Sequence, residues 1–366
     1  WPSKMEKFNI NSHFTKKLIS KKNINLITNL TATNMAIDQE NEMINEILFQ
    51  SNKKEIKVKS KFFILCCGAI ENAKIILNNS INYNILKNSN TGKYYMDHPR
   101  VTLGTLFSKN KFSLSSLFGI KSKKLDIRYT LKPSDAFQIN NNILSCHAYL
   151  DPYFGDENEN KFKEILKKIK KIVKLKGLPK LNLYNLSIKE ILEQIYFNIP
   201  PQISNSYFNN ILRIFLSRKN NFLSFKSIKI NYQGEQFPNI NSKIYLGNKK
   251  DIYGQYIPIL DWRLCEVDYR TQTEFVKILK NITNNHNYLS FNENKNFEIT
   301  DASHHSGTTR MSLNKSDGVV NKNCKFHDIK NLFISGNSVF RTIGSGNPGL
   351  TNMALSNRLG KYLNRL

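Results

Sequence analysis

The sequence predicts α/β ends flanking an α+β middle, and three observations carry that reading. Residues 62–69, Phe-Phe-Ile-Leu-Cys-Cys-Gly-Ala, form a continuous apolar run that ends on glycine, and residues 71–77 follow with helical character. A strand buried on both faces that turns on a glycine into a helix is an α/β element. Near the other end, the apolar run Leu332-Phe-Ile-Ser335 meets Gly336, and a glycine-rich turn then leads into a last helix. Between these ends, residues 102–282 mix short strand-like runs with helical ones. At 366 residues the chain is long enough for two domains.

Taken in order, residues 25–28, 32–37, 46–50 and 55–59 show the period-two pattern of an antiparallel meander. The 62–69 strand and 71–77 helix come next, and residues 102–151 read as mixed and strand-like. Over 161–173, Phe162, Ile165, Ile169, Ile172 and Val173 share one helical face with lysines opposite, inside a basic helical insertion around 160–225. Such a helix more often covers a core with its charges in water than lies on an anionic membrane. Residues 241–246 and 256–262 read as strands and 271–282 as a helix.

Apolar residues make up 40% of the chain, enough for a folded core once the 16 glycines are added. Lys and Arg outnumber Asp and Glu by 54 to 28, a net charge of +26. The lysines are scattered, with no basic stripe interleaved with aromatics, so nucleic acid is not an expected partner and peripheral membrane contact is not favoured. The five cysteines read as buried reduced thiols; no C-x-x-C spacing is present and no metal is expected. No apolar stretch approaches the length of a membrane span and the first residues do not form a signal peptide, which fits a cytoplasmic protein. Trp1 is not a translation start, so a processed chain or a fragment with its upstream part missing is expected.

Gly344, Gly346 and Gly349 spell a literal G-x-G-x-x-G. As a dinucleotide fingerprint it fails, because no acidic residue and no second strand follow, and Pro348 removes an N–H that a pyrophosphate loop needs. The turn must serve something else. The surrounding residues supply an answer: 303–311 read Ser-His-His-Ser-Gly-Thr-Thr-Arg-Met, then come Gly318-Val-Val, the run 331–339, and Asn347-Pro-Gly-Leu-Thr-Asn-Met-Ala. These four ordered motifs resemble the glucose–methanol–choline (GMC) family of flavin oxidoreductases. Upstream, residues 63–71, Gly92-Lys-Tyr-Tyr-Met-Asp-His-Pro99 and Glu235-Gln-Phe-Pro-Asn239 are similar to further elements of that family. Residues 105–230 match nothing in it.

The resemblance implies part of a Rossmann-like FAD-binding domain, residues 1–80 and 300–366, with an inserted mixed-sheet substrate domain, residues 81–299. It implies FAD as cofactor and a small-molecule alcohol or sugar as substrate; the residues do not choose between oxygen and another electron acceptor. His304 falls on the family's base, and Asn347 on the His or Asn that holds the substrate oxygen. Ala32 corresponds to a backbone contact with adenine, Gly68 to the turn after the buried strand, and Gly336 and Asn337 to the turn beside the pyrophosphate. Pro348 and Gly349 open a helix aimed at the flavin's pyrimidine edge. His305 and His98 are left as structural residues. The family's own N-terminal G-x-G-x-x-G does not occur, so the chain is read as the C-terminal two-thirds of such an enzyme.

The chemistry agrees with these placements. Oxidising an alcohol requires removal of the hydroxyl proton as a hydride leaves carbon, so a base near neutral pKa must reach the oxygen, and His304 suits that task. An amide such as Asn347 can hold the same oxygen without competing for the proton. Two other classes remain compatible with the residues. A truncated relic of the fold without flavin is favoured by the missing fingerprint, and a basic membrane-surface or nucleic-acid-binding protein by the +26 charge.

Overall fold

In a computed structural model of the protein, residues 16–51, 54–108, 120–121, 126–127, 130–152, 227–296 and 298–366 are described. The helix read at 161–173 and the insertion around 160–225 lie outside them.

The meander forms as strands Thr31–Asp38, Met43–Gln50 and Glu55–Val58, paired antiparallel in that order. Residues 25–28 do not join it. Thr31–Asp38 is the outer strand among the described residues, the alternation upstream meets no described strand, and Leu26 and Ile27 stand exposed.

The apolar run at 62–69 gives a strand over Phe63–Leu65, parallel to Leu332–Ile334. Here the expectation of burial on both faces needs correction: Phe63 and Leu65 point into the core, but Ile64 is 44% exposed. The alternation follows from the pleat, since only one face of this two-stranded pair is covered among the described residues. The same geometry overturns the reading of five buried thiols. Cys66 and Cys67, which leave the strand end, are exposed, whereas Cys146 and Cys324 are buried and Cys265 is half-buried; all five are free.

Gly68, in the left-handed region at φ +82°, turns the chain into the helix Gly68–Asn79. Three asparagines of this helix stitch it to its neighbours. Asn72 Nδ2 donates to Ser338 Oγ at 3.0 Å, and Asn78 exchanges bonds with both backbone groups of Tyr256. Asn79 Oδ1 accepts the Met35 N–H at 2.7 Å. Tyr256 belongs to a hairpin of Lys243–Lys250 and Tyr256–Asp261.

A second core lies under a five-stranded sheet, in the order Leu289–Glu293, Arg100–Ser108, Ser227–Gly234, Cys146–Pro152 and Thr130–Leu131. Among the described residues every pairing in it is antiparallel, where a mixed sheet was expected. A parallel neighbour needs a crossover helix. The helix of this region, Glu266–Asn284, instead covers one face, with Phe275 edge-on to Tyr232 at 5.8 Å. The first core gathers Met35, Ile44, Ile76, Phe326 and Phe333 around the meander and the parallel pair. No helix among the described residues is long and apolar enough to cross a membrane.

Asn331 joins the meander to the parallel pair. Its Oδ1 accepts the Ile44 N–H and its Nδ2 donates to the Ile44 carbonyl, both at 2.8 Å, and the side chain is buried. Truncating it leaves two buried backbone groups unpaired. Asn331→Ala is therefore expected to lower the free energy of unfolding by about 2–4 kcal/mol, measured by urea denaturation.

Candidate functional site

Because the strands Phe63–Leu65 and Leu332–Ile334 are parallel, their carboxyl ends open at the same edge, where a doubly wound sheet places its ligand. Gly68 leaves one strand there, and Gly336 leaves the other at φ +127°. A Cβ built on either would meet nothing within 4 Å, so both backbones face open space. By contrast, a Cβ on Gly307 would collide with the Tyr94 carbonyl, making that glycine a packing requirement. Asn337 Oδ1 and Asn352 Oδ1 are both buried without a hydrogen-bond partner. The two come from adjoining elements: Ser335 Oγ meets Ser356 Oγ at 2.8 Å, one turn along the helix Gly349–Leu363 from Asn352. Pro348 is the N-cap of that helix, and Gly349 is its exposed first residue. Ala32 sits apart, paired with Phe49 on the outer meander strand and packed on the first core.

The histidine loop is zipped to the 92–98 loop. Met96 and Ser306 exchange backbone bonds at 3.1 and 2.9 Å, and the Gly92 N–H donates to the Thr308 carbonyl at 2.8 Å. Its other side runs along 337–339, with the Gly307 N–H donating to Asn337 O and the Thr309 N–H to Ser338 O. The anchor is Asp97, which has no solvent exposure. Its carboxylate accepts the N–H groups of His98 at 2.7 Å, Ala302 at 3.2 Å and His304 at 3.1 and 3.2 Å. Its own N–H donates to Gln236 Oε1, which also accepts the Trp262 indole N–H.

His304 is half-buried, with its ring edge-on to that of His98 at 5.1 Å and its Nδ1 buried without a partner. Burial pushes its pKa below the ordinary histidine value; Asp97 opposes the shift, and Arg100 and His305 add to it. His98 is fully buried and is held down at about 4, first by desolvation and then by His304. Its Nδ1 lies 3.1 Å from the Gly234 carbonyl. His305 Nε2 is 3.6 Å from Asp97 Oδ2. Asp97, Asp301 and His305 present atoms within 4.8 Å of one another, but the backbone N–H groups already fill the Asp97 carboxylate, and Asp301 Oδ1 accepts from Ser303. This cluster shapes a loop.

Asn347 is exposed on a turn held by the end of the strand Ser227–Gly234. Gln233 Nε2 donates to Ser345 O at 3.0 Å, Ser345 Oγ meets Ser145 Oγ at 2.9 Å, and the Glu235 carboxylate accepts the N–H groups of Ser145 and Gly344. Burial raises the Glu235 pKa, and those two N–H groups offset part of the rise. One strand end thus serves both predicted chemical residues: Gly234 holds His98 beneath His304, and its neighbours hold the turn that bears Asn347. The Asp97-His98-Pro99 and Glu235-Gln236 elements stand out in the sequence, where His98 reads as structural, but nothing in their spacing assigns a role to Asp97, Gln233 or Glu235. The signal present was a charged residue inside each motif; its burial was not readable.

Carboxyl ends of parallel strands opening on glycine turns, beside a half-buried histidine and an antiparallel sheet, make up the candidate site, an α/β edge joined to a second core. Residues 238–356 match the model of the GMC oxidoreductase family. Among solved structures it is similar to pyridoxine 4-oxidase from Mesorbium loti, with a TM-score of 0.55 and 12% identity over 98% of this chain and 61% of that one. It is also similar to an FAD-dependent oxidoreductase from Chaetomium thermophilum (TM-score 0.56, 13% identity, 97% of this chain and 64% of that one). A formate oxidase from Aspergillus oryzae RIB40 shows the same likeness (TM-score 0.51, 14% identity, 92% and 60%). At these identities the likeness is one of fold, and the chain spans less than two-thirds of each of these proteins. No curated protein matches the chain.

Removing the Asp97 side chain would leave several buried N–H groups without an acceptor and release the histidine loop. Asp97→Ala is expected to cost about 3–5 kcal/mol of stability, at the high end for a single substitution, read from chemical denaturation.

Proposed function

We propose that the protein oxidises the CH–OH group of a small alcohol or sugar with FAD as its cofactor. The observation that carries this reading is His304: a half-buried imidazole, pushed toward its neutral form, on a loop within the stretch that matches the GMC oxidoreductase model. In this reading residues 1–80 and 300–366 serve the FAD, and 81–299 serve the substrate. The second core lies wholly within 81–299, whereas the first gathers residues of 1–80 and 300–366 and takes in Leu86 and Met96.

The site's chemistry suits FAD. Backbone at Gly68 and Gly336 faces open space where a pyrophosphate could approach, and the orphaned Asn337 Oδ1 beside it needs a donor such as a ribose hydroxyl. Gly344, Gly346 and Gly349 leave comparable room, and the first amides of the helix Gly349–Leu363 lack intrahelical acceptors and carry its positive dipole end. Ala32, Gly68, Gly336, Asn337, Pro348 and Gly349 would hold the cofactor. When bound, FAD supplies the acceptor for the hydride leaving the substrate carbon.

The chain's own residues handle the proton. His304 takes it from the substrate hydroxyl, and a depressed pKa keeps the ring able to do so at neutral and mildly acidic pH. Asn347 donates its amide N–H to the same oxygen and orients it without taking the proton. The bonds from Gln233 and Glu235 to Ser345 and Gly344 fix the turn that presents Asn347.

His304→Ala in the full-length protein is expected to keep flavin while kcat falls about 10²- to 10⁴-fold. A variant that turns over at the wild-type rate would remove His304 from this role. The pH dependence follows from the sign of the shift. Lowering a base's pKa extends its neutral form to lower pH, so the acidic limb of the kcat/KM profile should fall below pH 6.5, the ordinary histidine value. Asn347→Asp places a negative charge near the ring and near the developing alkoxide. It should move that limb upward and depress kcat with flavin retained; an unmoved limb would separate Asn347 from the base.

A further inference from the structure

We propose that His98 is a positioning residue for His304: its Nε2 accepts the proton carried on His304 Nδ1, leaving His304 Nε2 as the lone pair that takes the substrate proton. The starting point is the contact between His98 Nδ1 and the Gly234 carbonyl at 3.1 Å. A carbonyl oxygen only accepts, so His98 Nδ1 must carry a hydrogen. In the neutral ring His98 Nε2 is then a lone pair, and it is buried with no hydrogen-bond partner. His304 Nδ1 is likewise buried and unpartnered, and the two rings stand edge-on, 5.1 Å between centres at 86°.

Two orphaned nitrogens, one fixed as an acceptor and the other able to donate, are satisfied together by a single bond. Left apart, each carries a desolvation cost of about 1–3 kcal/mol. A small rotation of the half-buried His304 ring, or one bridging water, closes the gap. The bond matters because the tautomer of a neutral histidine is set by what its other nitrogen meets. Without His98, nothing among the described residues holds the hydrogen on His304 Nδ1.

A neutral partner also suits a base better than a carboxylate would, since a negative partner would raise the pKa of His304. The charged and titratable groups facing this pair are His147 and Arg100 at His98, and Asp97, Arg100 and His305 at His304. The carboxylate among them bonds the His304 backbone N–H.

The catalytic consequence rests on the proposed function, but the tautomer does not, and the test separates the two. Long-range 1H–15N NMR of the full chain labelled at histidine, with the His304 signals assigned by their loss in His304→Gln, reports which nitrogen carries the hydrogen. Above pH 7 the expected result is hydrogen on His304 Nδ1, with His98→Phe shifting the population toward Nε2. His98→Gln can both donate to Gly234 and accept from His304, so it should restore the Nδ1 form. In the flavin-loaded enzyme, kcat/KM should fall roughly 10- to 100-fold in His98→Phe and recover in His98→Gln. Hydrogen on His304 Nε2 in the wild type, or a tautomer indifferent to His98→Phe, overturns the proposal; if that variant does not fold, the wild-type and His98→Gln spectra decide. A confirmed tautomer beside an active His304→Ala would instead sink the catalytic reading and leave the pairing standing.

Discussion

A carboxylate without solvent contact is a costly object, and the site depends on one. Asp97 stays buried because backbone N–H groups from two loops converge on its oxygens, which is what a buried charge requires. The consequence runs outward. The loop 92–98 and the loop 302–308 cannot separate without leaving that charge unpaired, and the second of them also runs beside Asn337, Ser338 and Val339. Gln236, just past the sheet strand Ser227–Gly234, accepts the Asp97 N–H and donates to the Arg263 carbonyl beyond the hairpin. One group therefore fixes the relation between the parallel-strand region and the sheet region, and His304 lies where those regions meet.

A second set of polar staples works the same way at lower charge. Asn72, Asn78, Asn79 and Asn331 are all buried, and each spends its amide on groups from another segment. In a chain where asparagine is abundant everywhere, these four look no different in sequence from their exposed counterparts. An amide can both donate and accept, so it can cap a strand edge that an apolar residue would leave unsatisfied.

That contrast shows what was legible in the sequence. Residues 332–335, the helices at 71–77 and 271–282, and the hairpin strands at 241–246 and 256–262 were readable because their apolar spacing is imposed by the face they bury. The motifs gave the order of His304, Gly336 and Asn347 along the chain. What failed depended on neighbours that spacing does not encode. Among the described residues, the alternation at 25–28 has no strand to pair with, the apolar run ending in Cys66 and Cys67 is covered on one side only, and the middle sheet pairs antiparallel. The role of Asp97 was hidden for a related reason: a carboxylate inside a loop motif reads as solvated until its burial is known.

The placement of Asp97 also bears on the protonation of the histidine it positions. A carboxylate bonded to an imidazole ring stabilises the protonated form and raises its pKa. Here the carboxylate bonds the His304 backbone, so it fixes where the residue sits while its pull on the ring is outweighed by burial. The position of His304 and its proton affinity are set by different groups. The ring that stands edge-on to it is His98, uncharged at neutral pH and locked by the Gly234 carbonyl into presenting a lone pair. In a chain of net charge +26, every nearby cation also opposes a second positive charge, as Arg100 does at both rings. Burial, a neutral ring partner and a cationic background all favour the neutral form of His304, the only form that can take a proton.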